Sequence, residues 1–146
     1  MMLDNLTYRK AVTSDLPYLT WLRQQTMAEH LVTAGIQTDE QTSLERILYQ
    51  FESAKIIVLD GKPIGLMKVV EADGKIEIIQ IQIEPQHQRK GYGAALIQQI
   101  ISEAEPTKTT VFLSVLKKNW AQNLYQRMGM KIVGEDESSY LMELKF

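Results

Sequence analysis

Cysteine is absent from the 146-residue chain. Its absence excludes disulfides, thiol nucleophiles, thiolate metal sites and any cysteine-linked acyl-enzyme. No metal ligand set is assigned. Neither sign of charge dominates: sixteen Lys and Arg stand against eighteen Asp and Glu, a formal net charge of −2. That balance argues against a general polyanion-binding surface, so nucleic acid is not expected as a main partner. No apolar run approaches the roughly 20 residues that span a bilayer, and the first six residues lack a signal-peptide core. The expectation is no membrane association and a cytoplasmic location. Repeats, linkers and low-complexity tracts are also missing, while 45% of residues are hydrophobic. One globular domain over residues 1–146 is expected.

What is present is a regular alternation of strand and helix patterns. Residues 6–12 alternate like a short edge strand, and Thr13 or Ser14 can cap the helix that follows, with Pro17 tolerated in its first turn. That helix carries Leu16, Leu19, Leu22 and Met27. A polar gap around Gly35 precedes a second helix over residues 40–51, with Leu44, Ile47, Leu48 and Phe51 on its apolar face. Residues 54–59, 64–71 and the segment ending at Ile83 are strands joined by Asp60-Gly61 and Asp73-Gly74. Asp-Gly favours tight hairpins, so these three should form an antiparallel meander. Pro106 closes the next helix, and residues 130–133 and 139–145 form a last hairpin. Strands first in a meander and later alternating with helices imply a mixed α/β sheet.

The richest segment is Gln88-Arg89-Lys90-Gly91-Tyr92-Gly93-Ala94, because it falls between a β-branched strand and a helix. A glycine turn there presents free backbone N–H groups at a helix N-terminus, where the dipole favours a phosphate. Gly91 and Gly93 permit close backbone approach and positive φ, and Arg89 and Lys90 add cationic charge. The dinucleotide fingerprint needs a third glycine, which is missing, and the P-loop needs Gly-Lys-Ser/Thr, whereas Lys90 precedes Gly91. A dinucleotide-dependent oxidoreductase is therefore disfavoured. Further on, the strand at residues 111–116 leads to Asn119, a plausible N-cap, then to Ala121, Leu124, Tyr125 and Met128 at helical spacing, with Gly129 as the stop.

Together these segments resemble the GCN5-related N-acetyltransferase (GNAT) family. Its phosphate motif, Gln/Arg-x-x-Gly-x-Gly/Ala, is matched by Gln88, Gly91 and Gly93. Its later motif, Asn then Ala-x-x-x-Tyr-x-x-x-Gly-Phe, is matched by Asn119, Ala121, Tyr125 and Gly129. Met130 replaces the usual Phe, and Asn119 stands two residues before Ala121 where many members have three. The resemblance implies a mixed, mostly antiparallel, twisted central sheet flanked by helices and splayed near its middle, with acetyl-CoA as cosubstrate in the opening.

The implied reaction moves an acetyl group from acetyl-CoA directly to a primary amine of a small molecule or protein. The amine must arrive as the free base, the developing oxyanion needs a donor, and the departing thiolate benefits from a proton. The resemblance assigns the pyrophosphate to the backbone amides of Arg89, Lys90, Gly91, Tyr92, Gly93 and Ala94. It lays the pantetheine arm along Ile81, Gln82 and Ile83, one of whose N–H groups is the oxyanion donor. Tyr125 is the candidate general acid, since a phenol with a pKa of ~10 is protonated at neutral pH; otherwise it is a packing aromatic. Asn119 either bonds the pantetheine or caps its helix. Glu77, eleven residues before Gln88, matches a catalytic glutamate of the histone-modifying branch; otherwise it faces solvent. His30 is a weaker candidate base and His87 is expected on the surface.

Acceptor specificity is expected from residues 29–40 and the last hairpin. Glu29, Asp39, Glu40, Glu135, Asp136 and Glu137 would suit a cationic amine or simply be solvated. Lys117 and Lys118 either meet the cofactor's ribose phosphate or face solvent. Two other readings stand beside the enzyme of small amines: a protein N-terminal or lysine acetyltransferase, and a non-catalytic acyl-CoA sensor or interaction domain. A homodimer is possible, with residues 140–144 as the pairing edge.

Overall fold

The computed structural model describes residues 5–26 and 40–146. Met27, Glu29, His30, Gly35 and Asp39 lie outside the described residues, and with them most of the expected acceptor segment. The described residues form strands β1 (Leu6–Lys10), β2 (Ala54–Leu59), β3 (Lys62–Ala72), β4 (Lys75–Ile83), β5 (Thr110–Leu116), β6 (Lys131–Glu135) and β7 (Ser139–Leu144). The helices are α1 (Leu16–Thr26), α2 (Glu40–Leu48), α3 (Tyr92–Ala104) and α4 (Ala121–Arg127). The strands make one seven-stranded sheet in the order β1-β2-β3-β4-β5-β7-β6.

The meander follows from its turns. Asp60 and Gly61 take φ of 51° and 83°, and Asp73 and Gly74 take 55° and 73°. Two consecutive positive φ values give the twist that suits a two-residue hairpin. β1, β2, β3 and β4 are antiparallel neighbours. Only β4 and β5 run parallel, and they pair at Lys75↔Thr110, Ile76↔Val111 and Glu77↔Phe112 alone. Beyond Glu77 the two strands part, and the sheet opens into a V. β5 pairs along its length with β7 instead.

Each face of the sheet is covered. α3 buries Ile97, Ile101 and Ala104 against Ile78, Val111, Leu113 and Met142, and Leu96 against Ile57, Ile64 and Met67. On the other face, Leu19 and Leu22 of α1 and Ile47 of α2 pack on Ile56 and Leu66. Gly65 allows β3 and β4 to approach closely: a Cβ there would lie 2.1 Å from the carbonyl oxygen of Gln82.

Four expectations need correction. β7 is not an edge, because it is paired with β5 on one side and β6 on the other. Its backbone groups are consumed, so it cannot recruit a second copy by strand addition. Neither Thr13 nor Ser14 caps α1; Asp15 folds back in a single 3₁₀ turn and accepts the Val12 N–H at 2.8 Å. Arg9 grips the same carboxylate at 2.7 and 2.8 Å and holds its pKa below the usual value. The second helix stops at Leu48, and Phe51 belongs to a separate 3₁₀ turn after Gln50 adopts φ 53°. Gly93 has no positive φ; of the loop glycines only Gly91 does, at 85°.

Candidate active site

The opening of the V holds two cavities that adjoin along β4. One, of about 270 Å³, is lined by Ile81, Gln82 and Ile83 of β4, Gly93 and Ile97 of α3, and Asn119, Ala121 and Tyr125 near α4. The other, of about 300 Å³, is lined by Glu77, Ile78, Ile79 and Gln80 on the same strand, by Ser114 on β5, and by Arg23 and Arg46.

The change of cavity along β4 has a local cause. Lys68 pairs with Gln80 but its neighbour Val69 pairs with Ile78, which leaves Ile79 as an extra residue. Such a bulge breaks the period-two alternation and re-aims side chains. Downstream, the Glu84 N–H donates to Ile64 on the β3 side. Alternation then turns the amides of Ile83 and Ile81 toward the open V. Ile83 O accepts the Gln88 side-chain amide at 2.8 Å, while Ile81 has no strand partner on that side.

Past β4 the chain turns through Pro85–His87 and enters α3 at Gly91. Arg89 takes φ 63° and Gly91 φ 85°, so the backbone curls with its amides facing one concavity. Backbone donation resumes at Ala95, whose N–H goes to Gly91 O. Among the described residues, the amides of residues 89–94 therefore find no backbone acceptor. A third hollow of about 240 Å³ lies here, lined by His87, Gln88, Arg89, Gly91, Tyr92, Gly93 and Ala94. Lys90 is exposed and lines neither this hollow nor the two cavities.

Tyr125 lies on the α4 wall, half-buried against the core cluster of α3 and β5. The expected alternatives for it are therefore not exclusive, since it both packs and faces the cavity. Burial pushes its phenol pKa up, and no hydrogen bond engages its hydroxyl among the described residues. Asn119 Oδ1 accepts the Ala121 N–H at 2.9 Å, so the side chain caps α4 while bordering the cavity. Lys117 does not reach toward the phosphate hollow: it pairs with Glu135 at 3.1 Å and sits 5.3 Å from the Tyr140 ring centre.

Glu77 lies at the closed end of the V, in the last β4–β5 pair, half-buried. It borders the second cavity, away from Tyr125. His87 is not simply a surface residue. Its Nδ1 is buried without a hydrogen bond, 3.7 Å from the buried Glu84. Glu84 accepts from Tyr18 Oη at 2.5 Å and from Gln86 at 3.0 Å, which ties α1 to the end of β4. Burial, and then that bond, drive the Tyr18 phenol far above its usual pKa.

Sequence reasoning missed Arg23, Lys68 and Glu84. Arg23 follows Leu19 by four residues and so shares its buried face; a cation on an apolar helical stripe was the available signal. Lys68 interrupts the apolar run of β3 in the same way. Its ammonium is fully buried and donates to the carbonyls of Arg46, Ile47 and Tyr49 at 3.1, 2.7 and 2.6 Å, closing the end of α2. Burial, with Arg23 nearby, pushes its pKa down to about 8.

The residues present fit a pyrophosphate-bearing, extended thioester. Arg89, Gly91, Tyr92, Gly93 and Ala94, whose amides lack backbone acceptors among the described residues, line the loop hollow, and a Cβ added at Gly93 would meet nothing within 4 Å, so protein packing does not require that glycine. The buried side-chain atoms without partners among the described residues are Arg23 Nε, Gln80 Oε1, Gln82 Nε2 and His87 Nδ1. All four residues border the V or the loop hollow. Buried polar groups are normally paired, so this concentration marks a surface built for ligands.

Comparison with known proteins agrees. No curated protein matches the sequence. Among solved structures, the PaiA N-acetyltransferase of Thermoplasma acidophilum in complex with coenzyme A superimposes with a TM-score of 0.72 at 19% identity, covering 97% of this chain and 99% of that one. An acetyltransferase of Thermus thermophilus gives 0.76 at 15% identity, with 97% of each chain covered. The ribosomal-protein-S18-alanine N-acetyltransferase of Escherichia coli gives 0.69 at 23% identity, covering 96% and 93%. These likenesses establish the splayed mixed sheet as a shared fold. The profile of the Acetyltransferase (GNAT) family matches residues 18–130, and the chain belongs to that family.

Proposed function

We propose that the protein transfers an acetyl group from acetyl-CoA to the primary amine of a small molecule. The observation that carries this reading is the row of unengaged amides at residues 89–94, placed beside a cavity that Tyr125 lines from the opposite wall. Acetyl-CoA would supply the activated thioester; the chain supplies position, dipoles and a proton. The amides of residues 89–94 and the α3 dipole hold the pyrophosphate. The open amides of Ile81 and Ile83 bond the pantetheine arm, and one of them faces the thioester oxygen as charge develops there. The acceptor reaches the thioester from the second cavity, at the junction of Gln80 and Ile81. A C–N bond forms and the C–S bond breaks. The acceptor nitrogen loses its proton to water, from which Glu77 can take it through further water, and the sulfur takes one from Tyr125.

The small-molecule reading is supported by the acceptor cavity of about 300 Å³, the size of a metabolite site. Acetyl-CoA, an amine panel and a thiol-release assay test the proposal. Thiol release that depends on an amine and yields its acetyl amide supports it. Tight acetyl-CoA binding without turnover of any amine or peptide, unaltered by Tyr125→Phe, would favour a sensor instead. Turnover of peptides alone would move the acceptor to protein.

A further inference from the structure

The acceptor cavity contains a charge the reaction does not use. Arg23 is 5% exposed, and its Nε is buried without a partner. Among the described residues no carboxylate lies within ion-pair distance of it. Arg46 borders the same cavity, likewise without an ion pair, and the two guanidiniums repel: burial first and Arg46 second lower the pKa of Arg23. Lys68 adds a third cation on the same side, committed to the end of α2. A buried cation without a counter-ion is costly. It is sustained where the working state of the protein brings an anion.

The acidic residues of the last hairpin, expected to attract a cationic acceptor, do not supply that anion. Glu135 is paired with Lys117, and Asp136 is turned onto the N–H groups of Ser138 and Ser139. Glu77, on the β4 wall of the cavity, is the only carboxylate that borders it among the described residues.

We propose that the acceptor is a small amine that also carries a carboxylate, held by Arg23 and Arg46 while its amine points along β4 toward Ile81. A guanidinium matches a carboxylate with two parallel N–H donors. The exposed Arg46 on α2 and the buried Arg23 on α1 approach from different elements, so the anion is clasped at the mouth of the cavity. This deepens the acetyltransferase reading and rests on it.

The test uses the intact protein with saturating acetyl-CoA and matched acceptors: amino acids, their carboxamides and the corresponding decarboxylated amines. The expected result is kcat/KM roughly 10- to 100-fold higher for the carboxylate member of a matched set. Arg23→Gln should collapse that preference mainly through KM, Arg46→Gln should reduce it, and Arg23→Lys should restore part of it. Arg46 is exposed, so its variant reports even if Arg23→Gln melts early. A second readout does not need turnover: with coenzyme A bound, an N-acetylated amino acid should raise the melting temperature and its carboxamide should not. Equal use of carboxylates, carboxamides and decarboxylated amines would overturn the proposal, as would a preference for polyamines, or no acceptor and no acetylated amino acid engaging a protein that binds acetyl-CoA. Absence of acetyl-CoA binding itself would instead sink the underlying acetyltransferase reading.

Discussion

The two cavities of the V share one strand yet are built on different principles. The Ile81–Tyr125 side is made of backbone: unengaged amides at residues 89–94, open strand amides at Ile81 and Ile83, and a glycine whose missing Cβ leaves room. The Glu77–Arg23 side is made of side chains, charged and partly buried, with Lys68 fixing the carbonyls of Arg46 and Tyr49 behind them. Backbone sites recognise what every member of a family must bind and tolerate substitution. Side-chain sites recognise what one protein binds and change with one residue. The difference explains why the first cavity could be named from motifs and the second could not.

Substitutions can break that contrast or sharpen it. The largest effect is expected at the chemistry. Tyr125→Phe should lower kcat by about 10²- to 10⁴-fold with little change in acetyl-CoA affinity, as loss of a general acid does. The pH profile carries the same information. Because burial raises the Tyr125 pKa above 10, the phenol stays protonated as the acceptor amine loses its proton. Wild-type kcat/KM should rise with pH and show no falling limb below pH 10. A falling limb at neutral pH would assign the acid elsewhere.

Next in size is Lys68→Met, which leaves three carbonyls at the end of α2 without their charged donor and should cost about 2–4 kcal/mol by thermal or denaturant unfolding. It should also weaken acceptor binding more than acetyl-CoA binding, since Arg46 and Tyr49 border only the acceptor cavity. Gly65→Ala acts on the other half. Its Cβ would collide with Gln82 O and displace the strand that carries Ile81 and Ile83, a loss of about 1–3 kcal/mol accompanied by weaker acetyl-CoA binding. The smallest effect on stability is the most diagnostic. Gly93→Ala adds a methyl into open space within a helix and should stabilise by about 0.5–1 kcal/mol while reducing acetyl-CoA affinity. A stabilised variant with unchanged affinity would remove α3 from the phosphate site.

Local pattern carried much of the fold. The strands at residues 54–59 and ending at Ile83, and the turns at Asp60-Gly61 and Asp73-Gly74, were legible because alternation and turn chemistry act over a few residues. So were the loop at Gln88 and the stop at Gly129. The position of β7 between β5 and β6 was not legible, because strand order depends on long-range pairing that a local alternation does not encode. The parting of β4 from β5 beyond Glu77 was hidden for the same reason and came only from the family resemblance. Arg23 and Lys68 were legible in principle, as cations on otherwise apolar faces. Their partners, or lack of them, required the packing of α1, α2 and β3 together. The capping role of Asn119 was half legible: its residue type named the cap, and the Ala121 N–H at 2.9 Å fixes it.

The central claim is that the amides of residues 89–94, opposite Tyr125, form an acetyl-CoA site. Calorimetric titration of the folded protein with acetyl-CoA, with NAD as control, tests it most directly. The account predicts saturable one-to-one binding of acetyl-CoA, no binding of NAD, and a weakened isotherm in Gly93→Ala. A well-folded protein that gives no heat with acetyl-CoA would contradict it.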